Sequence, residues 1–303
     1  MAAYKKRRRR KYPLAVTIIA IVLIAAYLIL DHFGYFDPET PQKDPSSVVT
    51  SGEIRVHVID VGQADCILVD TPDGCMLIDT GIDESESHLQ NYLYSCGITE
   101  IDYLLITHPH ADHYGGADMI LEEFKVENII YDNYLYPNRV LNWFYGSQAN
   151  LIDTTVGEKY YLGEAEFTVM CADMAEPSED KNDYSIVIRL DYGDSSFMFT
   201  GDATTFNEKY MIETWSAAEL DCDFLKSPHH GSKTSSSVSY LNILTPDIVA
   251  ISAGLGNSYG LPKQEILNRY EAIEADIYRT DLSGDLVFIS DGKTITYDED
   301  FWD

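Results

Sequence analysis

The sequence predicts an α/β fold: two mixed sheets packed face to face with helices outside, preceded by a single transmembrane helix. Three observations carry that reading. Short β-type runs meander at the start of each half of the chain and then alternate with helical patterns. An uncharged run of 17 residues, Leu14–Leu30 (LAVTIIAIVLIAAYLIL), follows a basic run at Lys5–Lys11. A stretch rich in Pro, Ser and charge, 37–52, then separates that run from the rest.

Residues 1–13 read as a cytoplasmic basic tail and 14–30 as the membrane helix. At 1.5 Å per residue the run covers roughly 26 Å, the short end of a bilayer span. A cleaved signal peptide fits less well, because the run is longer than the usual apolar region and leads into Tyr27–Asp31 with no small-x-small site. The basic flank stays inside, so the expected location is the cell membrane, single pass, with an extracytoplasmic C-terminal domain. Residues 31–52 read as a linker and 53–303 as the folded domain.

Within that domain Ile54, Val56 and Val58 alternate with Arg55 and His57, the period of a strand. Cys66–Asp70 and Cys75–Asp79 flank Thr71-Pro72-Asp73-Gly74, a hairpin signal. Leu89, Tyr92, Leu93 and Cys96 have helical spacing, stopped by Gly97. Ile101–Thr107 is a nearly continuous apolar strand, expected to be buried on both faces. A short helix through Glu123 and a strand at Asn128–Tyr131 follow. Residues 132–152, aromatic and irregular, read as a surface loop or lid. Strands are expected at Glu166–Cys171, Ser185–Asp191 and Phe197–Thr200, then a helix at Asn207–Trp215 and a strand at Phe224–Lys226. A further helix, the strand Ile248–Ser252, the helix Lys263–Glu274 and the strand Ile277–Arg279 come next. A hairpin of Leu286–Ile289 with Thr294–Tyr297 closes the chain.

Charge narrows the function. The chain carries 21 Lys and Arg against 50 Asp and Glu, a formal −29. Seven of the basic residues lie before residue 12, so the remainder is more acidic still. Such a field disfavours long nucleic acid as a partner, and an anionic substrate needs local positive charge, for which bound metal is a source. The five cysteines lack metal-type spacing, and most of them read as buried small apolar residues.

The strongest chemical signal is Thr107-His108-Pro109-His110-Ala111-Asp112-His113, which places three of the eight histidines within six residues directly after a buried strand. In an extended loop His108 and His110 point the same way and hold one ion, while Asp112 and His113 face a second. Imidazole with carboxylate suits zinc; manganese or iron is also compatible. Phe197–Asp202 is an apolar strand running into Thr200-Gly201-Asp202, where Asp202 can bridge two cations or cap the next helix. His229-His230-Gly231-Ser232, again at a strand end, supplies a ligand to the second ion, with His229 the first choice and His230 the alternative.

These residues resemble the metallo-β-lactamase-fold hydrolases. A finer series is similar to the C-terminal domain of the competence protein ComEC and its stand-alone relatives: Asp60-Val61-Gly62-Gln63-Ala64-Asp65, Leu77–Gly81, His110–Gly116, Asn182-Asp183-Tyr184-Ser185, Leu225-Lys226 before the histidine doublet, and Asn257–Gly260. The likeness covers about 53–290 and implies an αββα sandwich with a metal site at one edge. The sequence departs from the pattern in three ways. The polytopic membrane channel of ComEC is not expected here. No histidine lies between His113 and His229 to complete the first ion, and Asn182–Ser185 occupies that stretch. Leu261 stands where the family often has His.

The expected function is therefore metal-assisted hydrolysis of a phosphodiester or similar anionic ester with two divalent ions, zinc before manganese. Metal ligands are His108, His110, Asp112, His113, Asp202 and His229; Asp112, Asp202 and His230 have catalytic roles. Asp79 orients ligands from behind, and Lys226 and Lys233 are positive points that either meet a phosphate or lie solvated at the surface. The expected partners are the membrane, through the N-terminal helix, and the ester substrate. Two alternatives stay open: a metal-stabilised surface binding module without turnover, and an accessory factor in DNA uptake.

Overall fold

Ile54, Val56 and Val58 point to one side of β1 (Ile54–Val58) and Arg55 and His57 to the other, and this alternation decides how the sheet is sandwiched. A computed structural model describes residues 49–132, 136–172 and 178–301. These fall in the second of the two units into which the chain divides, Met1–Gln42 and Lys43–Asp303.

β1, β2 (Ile67–Thr71) and β3 (Gly74–Ile78) form an antiparallel meander, with Ile67 opposite Ile78 and Thr71 opposite Gly74. From β3 the sheet turns parallel through β4 (Glu100–Ile106), β5 (Lys125–Tyr131) and β6 (Asn150–Asp153). The second sheet repeats the plan. β7 (Lys159–Leu162), β8 (Ala165–Cys171), β9 (Val187–Tyr192) and β10 (Ser195–Phe199) meander, and β11 (Phe224–Lys226), β12 (Ile248–Ile251) and β13 (Asp276–Arg279) then run parallel. The closing hairpin, β14 (Leu286–Ser290) and β15 (Ile295–Tyr297), returns to the first sheet and pairs β14 with β1. The strand orders are β15-β14-β1-β2-β3-β4-β5-β6 and β13-β12-β11-β10-β9-β8-β7.

The helices are α1 (Glu86–Ser95), α2 (Ala111–Tyr114), α3 (Ala117–Glu123), α4 (Asn138–Gly146), α5 (Thr205–Thr214), α6 (Ala217–Leu220), α7 (Val238–Leu244), α8 (Gln264–Ala272) and α9 (Thr280–Ser283). Leu89, Leu93, Ile120, Val140 and Phe144 from α1, α3 and α4 cover the outer face of the first sheet at Leu77, Leu104 and Ile129. Met211, Leu241, Ile266 and Tyr270 from α5, α7 and α8 cover the second at Met198, Leu225 and Val249. Between the sheets Val56, Val58, Leu105, Phe167, Phe197, Phe224 and Phe288 make the inner layer. Each such side chain contributes roughly 1.5–3 kcal/mol of burial. This is a mixed α/β sandwich with helices on both outer faces, as expected.

Three expectations change. Residues 132–152 are not all loop: α4 lies within them, because Val140 and Phe144, one helical turn apart, are fully buried against the core, and β6 begins at Asn150. The expected helix through Glu123 is split in two at Gly115-Gly116. The single-pass membrane placement is not sustained, since no helix among the described residues is long and apolar enough to cross a membrane. The longest of them, α1 and α5, have ten residues each, which is about 15 Å or half a bilayer core. The run 14–30 that carried that expectation lies outside the described residues, as do 1–13 and 31–48. The cysteines are all free and buried, as read from their spacing.

Candidate metal centre

Parallel strands of both sheets deliver their C-terminal ends to one edge. β3 leads to Asp79, β4 to Thr107 and His108, β10 to Asp202, β11 to the histidine doublet and β12 to Ser252. The two sheets are tied together there by Ile186 N–H, which donates to the Thr107 carbonyl (2.9 Å), while His229 N–H donates to that of Gly201 (3.1 Å) and joins neighbouring strand ends of the second sheet. Gly201, at φ +49°, lies so close to Thr107 that a Cβ would sit 2.8 Å from its side chain. Glycine is required for that approach.

Asp202 is the hub, 2% exposed. Its Oδ1 lies 3.4 Å from His113 Nε2 and 3.7 Å from His230 Nε2. Its Oδ2 lies 3.9 Å from His108 Nε2 and 3.6 Å from His229 Nε2. Asp112 Oδ2 stands 3.7 Å from His230 Nε2 and 4.0 Å from His113 Nε2. Two groups result, each with ligand atoms within 4.8 Å of one another: Asp112, His113, Asp202 and His230, and His108, His110 and Asp202. Five of the six expected ligands fall in these groups: His108, His110, Asp112, His113 and Asp202. Within the doublet, however, His230 rather than His229 joins Asp112 and His113. His229 is partly exposed, on the Asp202 Oδ2 side, with Nδ1 bonded to Thr234 Oγ1 (2.9 Å). Both histidines adopt left-handed φ (52° and 53°) ahead of Gly231, a conformation that sends their rings to different sides of Asp202.

Buried polar atoms test whether these residues fit cations. His113 Nε2, His230 Nε2 and Asp202 Oδ1 are buried with no hydrogen-bond partner. Their other ring nitrogens are held: His113 Nδ1 by Asp79 Oδ2 (2.7 Å) and His230 Nδ1 by the Ser252 carbonyl (3.1 Å). Unpaired buried acceptors facing one another are costly unless a cation satisfies them all, so the donor set fits a divalent metal. Asp79 performs the orienting role expected of it. It accepts from Thr107 N–H and Oγ1 (2.8 Å each) and is itself locked at φ 59°.

Electrostatics follow the same lines. Burial keeps His108 well below its ordinary pKa, with the His113 charge adding to the effect, so its imidazole stays neutral, the form that ligates a metal. Burial, foremost, also lowers His110. Burial opposes a charged His113, but Asp202 and Asp79 on its two sides outweigh it and hold its pKa well above the usual range. Burial likewise opposes ionisation of Asp202, and the surrounding histidine charges overcome it.

Behind the site lies a pair the sequence reading misplaced. Lys226 does not face outward to a phosphate. It is fully buried, its Nζ 2.8 Å from each oxygen of Asp65. Asp65 Oδ1 stands in turn 3.5 Å from His230 Nδ1, and Asp65 N–H donates to the Asp112 carbonyl (3.1 Å). Lys233 is exposed and paired with Glu265 at 2.9 Å. The available signal was a lysine ending an apolar strand, which requires a buried counter-charge.

A family model of the metallo-beta-lactamase superfamily matches residues 59–254, well over half of the chain. The chain belongs to the metallo-beta-lactamase superfamily. Within the superfamily it is similar to ComEC-like competence proteins. It is 28% identical over 260 residues to ComE operon protein 3 of Bacillus subtilis, covering 78% of this chain and 33% of the relative. It is 29% identical over 268 residues to competence protein ComA of Neisseria gonorrhoeae, covering 87% and 35%. The chain thus spans about a third of the length of these relatives. Among solved structures, Igni18, a metallo hydrolase from Ignicoccus hospitalis, superposes with a TM-score of 0.53 at 15% identity over 78% of this chain and 98% of its own. That likeness supports the fold alone.

Proposed function

We propose that this superfamily member is a dinuclear metal-dependent hydrolase of a phosphodiester or similar anionic ester. The observation that carries the reading is the carboxylate of Asp202, whose two oxygens face different sets of imidazoles: His113 and His230 at Oδ1, His108 at Oδ2. In this reading Asp112, His113 and His230 would hold one divalent cation and His108 and His110 the other, with the Asp202 carboxylate serving both groups. Zinc suits the donor set, and manganese is the alternative. When bound, such ions supply a reactive water at neutral pH and take up charge developing on the ester.

The chain's own residues do the rest. Asp79, anchored by Thr107, fixes the tilt of His113 and turns Nε2 toward the centre, where that nitrogen would give up its proton to a bound cation. Asp65 and Ser252 do the same for His230. Burial of His108 and Asp202 excludes bulk water from their side of the site, while Asp112 and His110 stay partly open and admit substrate. The acidic domain disfavours long nucleic acid, so a small or lipid-linked diester is the better substrate.

The test is full-length chain loaded with Zn²⁺ or Mn²⁺, assayed on aryl phosphodiesters and single-stranded DNA, with metal content measured beside Asp202→Asn. Turnover of a diester, with two metal equivalents falling to one or none in the variant, is expected. A protein that leaves every ester untouched ends the reading. A second reading, accessory action in DNA uptake, draws on the names of the competence-protein relatives; wild-type transformation in a strain lacking this chain would dismiss it.

A further inference from the structure

Lys181 opens the short turn Lys181–Tyr184, which runs beside the histidine loop. Two contacts fix that juxtaposition. Ile186 N–H donates to the Thr107 carbonyl, and Lys181 Nζ reaches the carbonyl of Pro109, the residue between His108 and His110, at 3.4 Å. The Asp180 side chain accepts from Asn182 N–H (3.0 Å) and caps the same end of the turn. Lys181 is half-buried, and its charge is felt at His110.

Its place beside the histidine loop sets it apart from the other lysines. Lys226 is neutralised by Asp65 and Lys233 by Glu265. Lys181 has no ion pair with a described carboxylate, and the hydrogen bond to Pro109 is long. An ammonium held at the rim of a metal-ligand cluster, in a strongly acidic chain, is placed to meet an anion there. Both lysines expected to meet a phosphate are spent elsewhere; this one stands where a phosphoryl group entering beside His110 would pass.

From this placement we infer that Lys181 is the anion-recognition residue of the site, donating its ammonium protons to a non-bridging oxygen of a phosphate ester. The inference rests on the hydrolase reading above and adds to it a demand that the substrate carry negative charge at the reacting group. It requires no new bond: Nζ exchanges a weak contact with a backbone carbonyl for a charge-assisted one with phosphate.

The experiment uses full-length, metal-loaded chain as wild type, Lys181→Ala, Lys181→Arg and Lys233→Ala. Inorganic phosphate binding is measured by calorimetry, and hydrolysis of bis(p-nitrophenyl) phosphate is compared with that of neutral p-nitrophenyl acetate. Lys181→Ala is expected to weaken phosphate binding about tenfold and to raise KM for the diester more than it lowers kcat, with metal content equal to wild type. Lys181→Arg restores most of the loss, the salt dependence of KM flattens in Lys181→Ala, and Lys233→Ala moves phosphate binding less than about twofold. A merely structural role would not sort substrates by charge. If Lys181→Ala binds phosphate as wild type does, the inference falls, and diester turnover by the wild type leaves the hydrolase reading standing. If the wild type turns over no ester, that reading falls, and the phosphate titrations alone decide for or against Lys181.

Discussion

Replacing Lys226 by Met removes an ammonium from a place that water does not reach. Both members of the pair are at most 1% exposed, and Nζ sits 2.8 Å from each carboxylate oxygen of Asp65. At an effective dielectric near 20, unit charges at that separation attract by roughly 6 kcal/mol. Much of this offsets the desolvation of the two groups, so the loss on breaking the pair is about 3–5 kcal/mol, the cost of leaving one buried charge behind. Some relief is available, because His230 stands 3.5 Å from the same carboxylate. Lys226→Met is therefore expected to destabilise the chelated protein by about 3 kcal/mol, and Asp65→Asn by a similar amount. The double variant, with neither charge, recovers at least about 2 kcal/mol of the summed loss. Urea titrations of the four proteins in the presence of a chelator measure this cycle. A Lys226→Met variant within about 1 kcal/mol of wild type, or a double variant as unstable as the sum of the singles, would refute the argument that the pair is dry and mutually compensating.

Metal analysis of His230→Ala beside His229→Ala separates the members of the doublet: the first loses an equivalent and the second keeps it, and equal losses would contradict the geometry around Asp112. Gly201→Ala forces a Cβ to 2.8 Å from Thr107 at φ +49°; it should cost about 2 kcal/mol or more and lower metal occupancy, read by thermal melts and metal content. His57 is fully buried, and burial first, then the Arg55 charge, lowers its pKa to about 3. The unfolded chain takes up this proton below about pH 6.5 and the folded one does not, so stability falls by about 1.4 kcal/mol per pH unit as pH drops from 6.5 toward 3. His57→Gln should remove that share of the slope in urea titrations at pH 7 and 4.5; an unchanged slope would show that His57 is protonated in the fold.

What the sequence made legible were features that declare themselves locally. β1 shows its period in five residues, and the histidine loop shows its chemistry in six. The ends of β4, β10 and β11 were readable because an apolar run stops at a polar residue that a core would not accept. What stayed hidden depends on partners far along the chain. Lys226 and Asp65 are separated by 161 positions, and neither position alone says that the other is there. His229 and His230 are adjacent and chemically identical; only the left-handed turn, set by packing, sends one ring toward Asp112. α4 was obscured because exposed Tyr145 and half-buried Trp143 blur the stripe made by Val140 and Phe144. β7 is a four-residue edge strand whose exposed Tyr161 breaks any clean alternation.

The division of ligands between the two sheets links nutrition to architecture. His108, His110 and His113 hang from the eight-stranded layer, and Asp202 and His230 from the seven-stranded one. Cations held among them would therefore rivet one layer to the other, and neither layer could retain them alone. An early folding species with a single layer formed would offer each metal only part of its ligand set. In the finished protein, each ion at a hundredfold excess over its Kd would add about 2.7 kcal/mol to the folding equilibrium. A cell starved of the metal would then lose grip on the protein itself as well as on its chemistry.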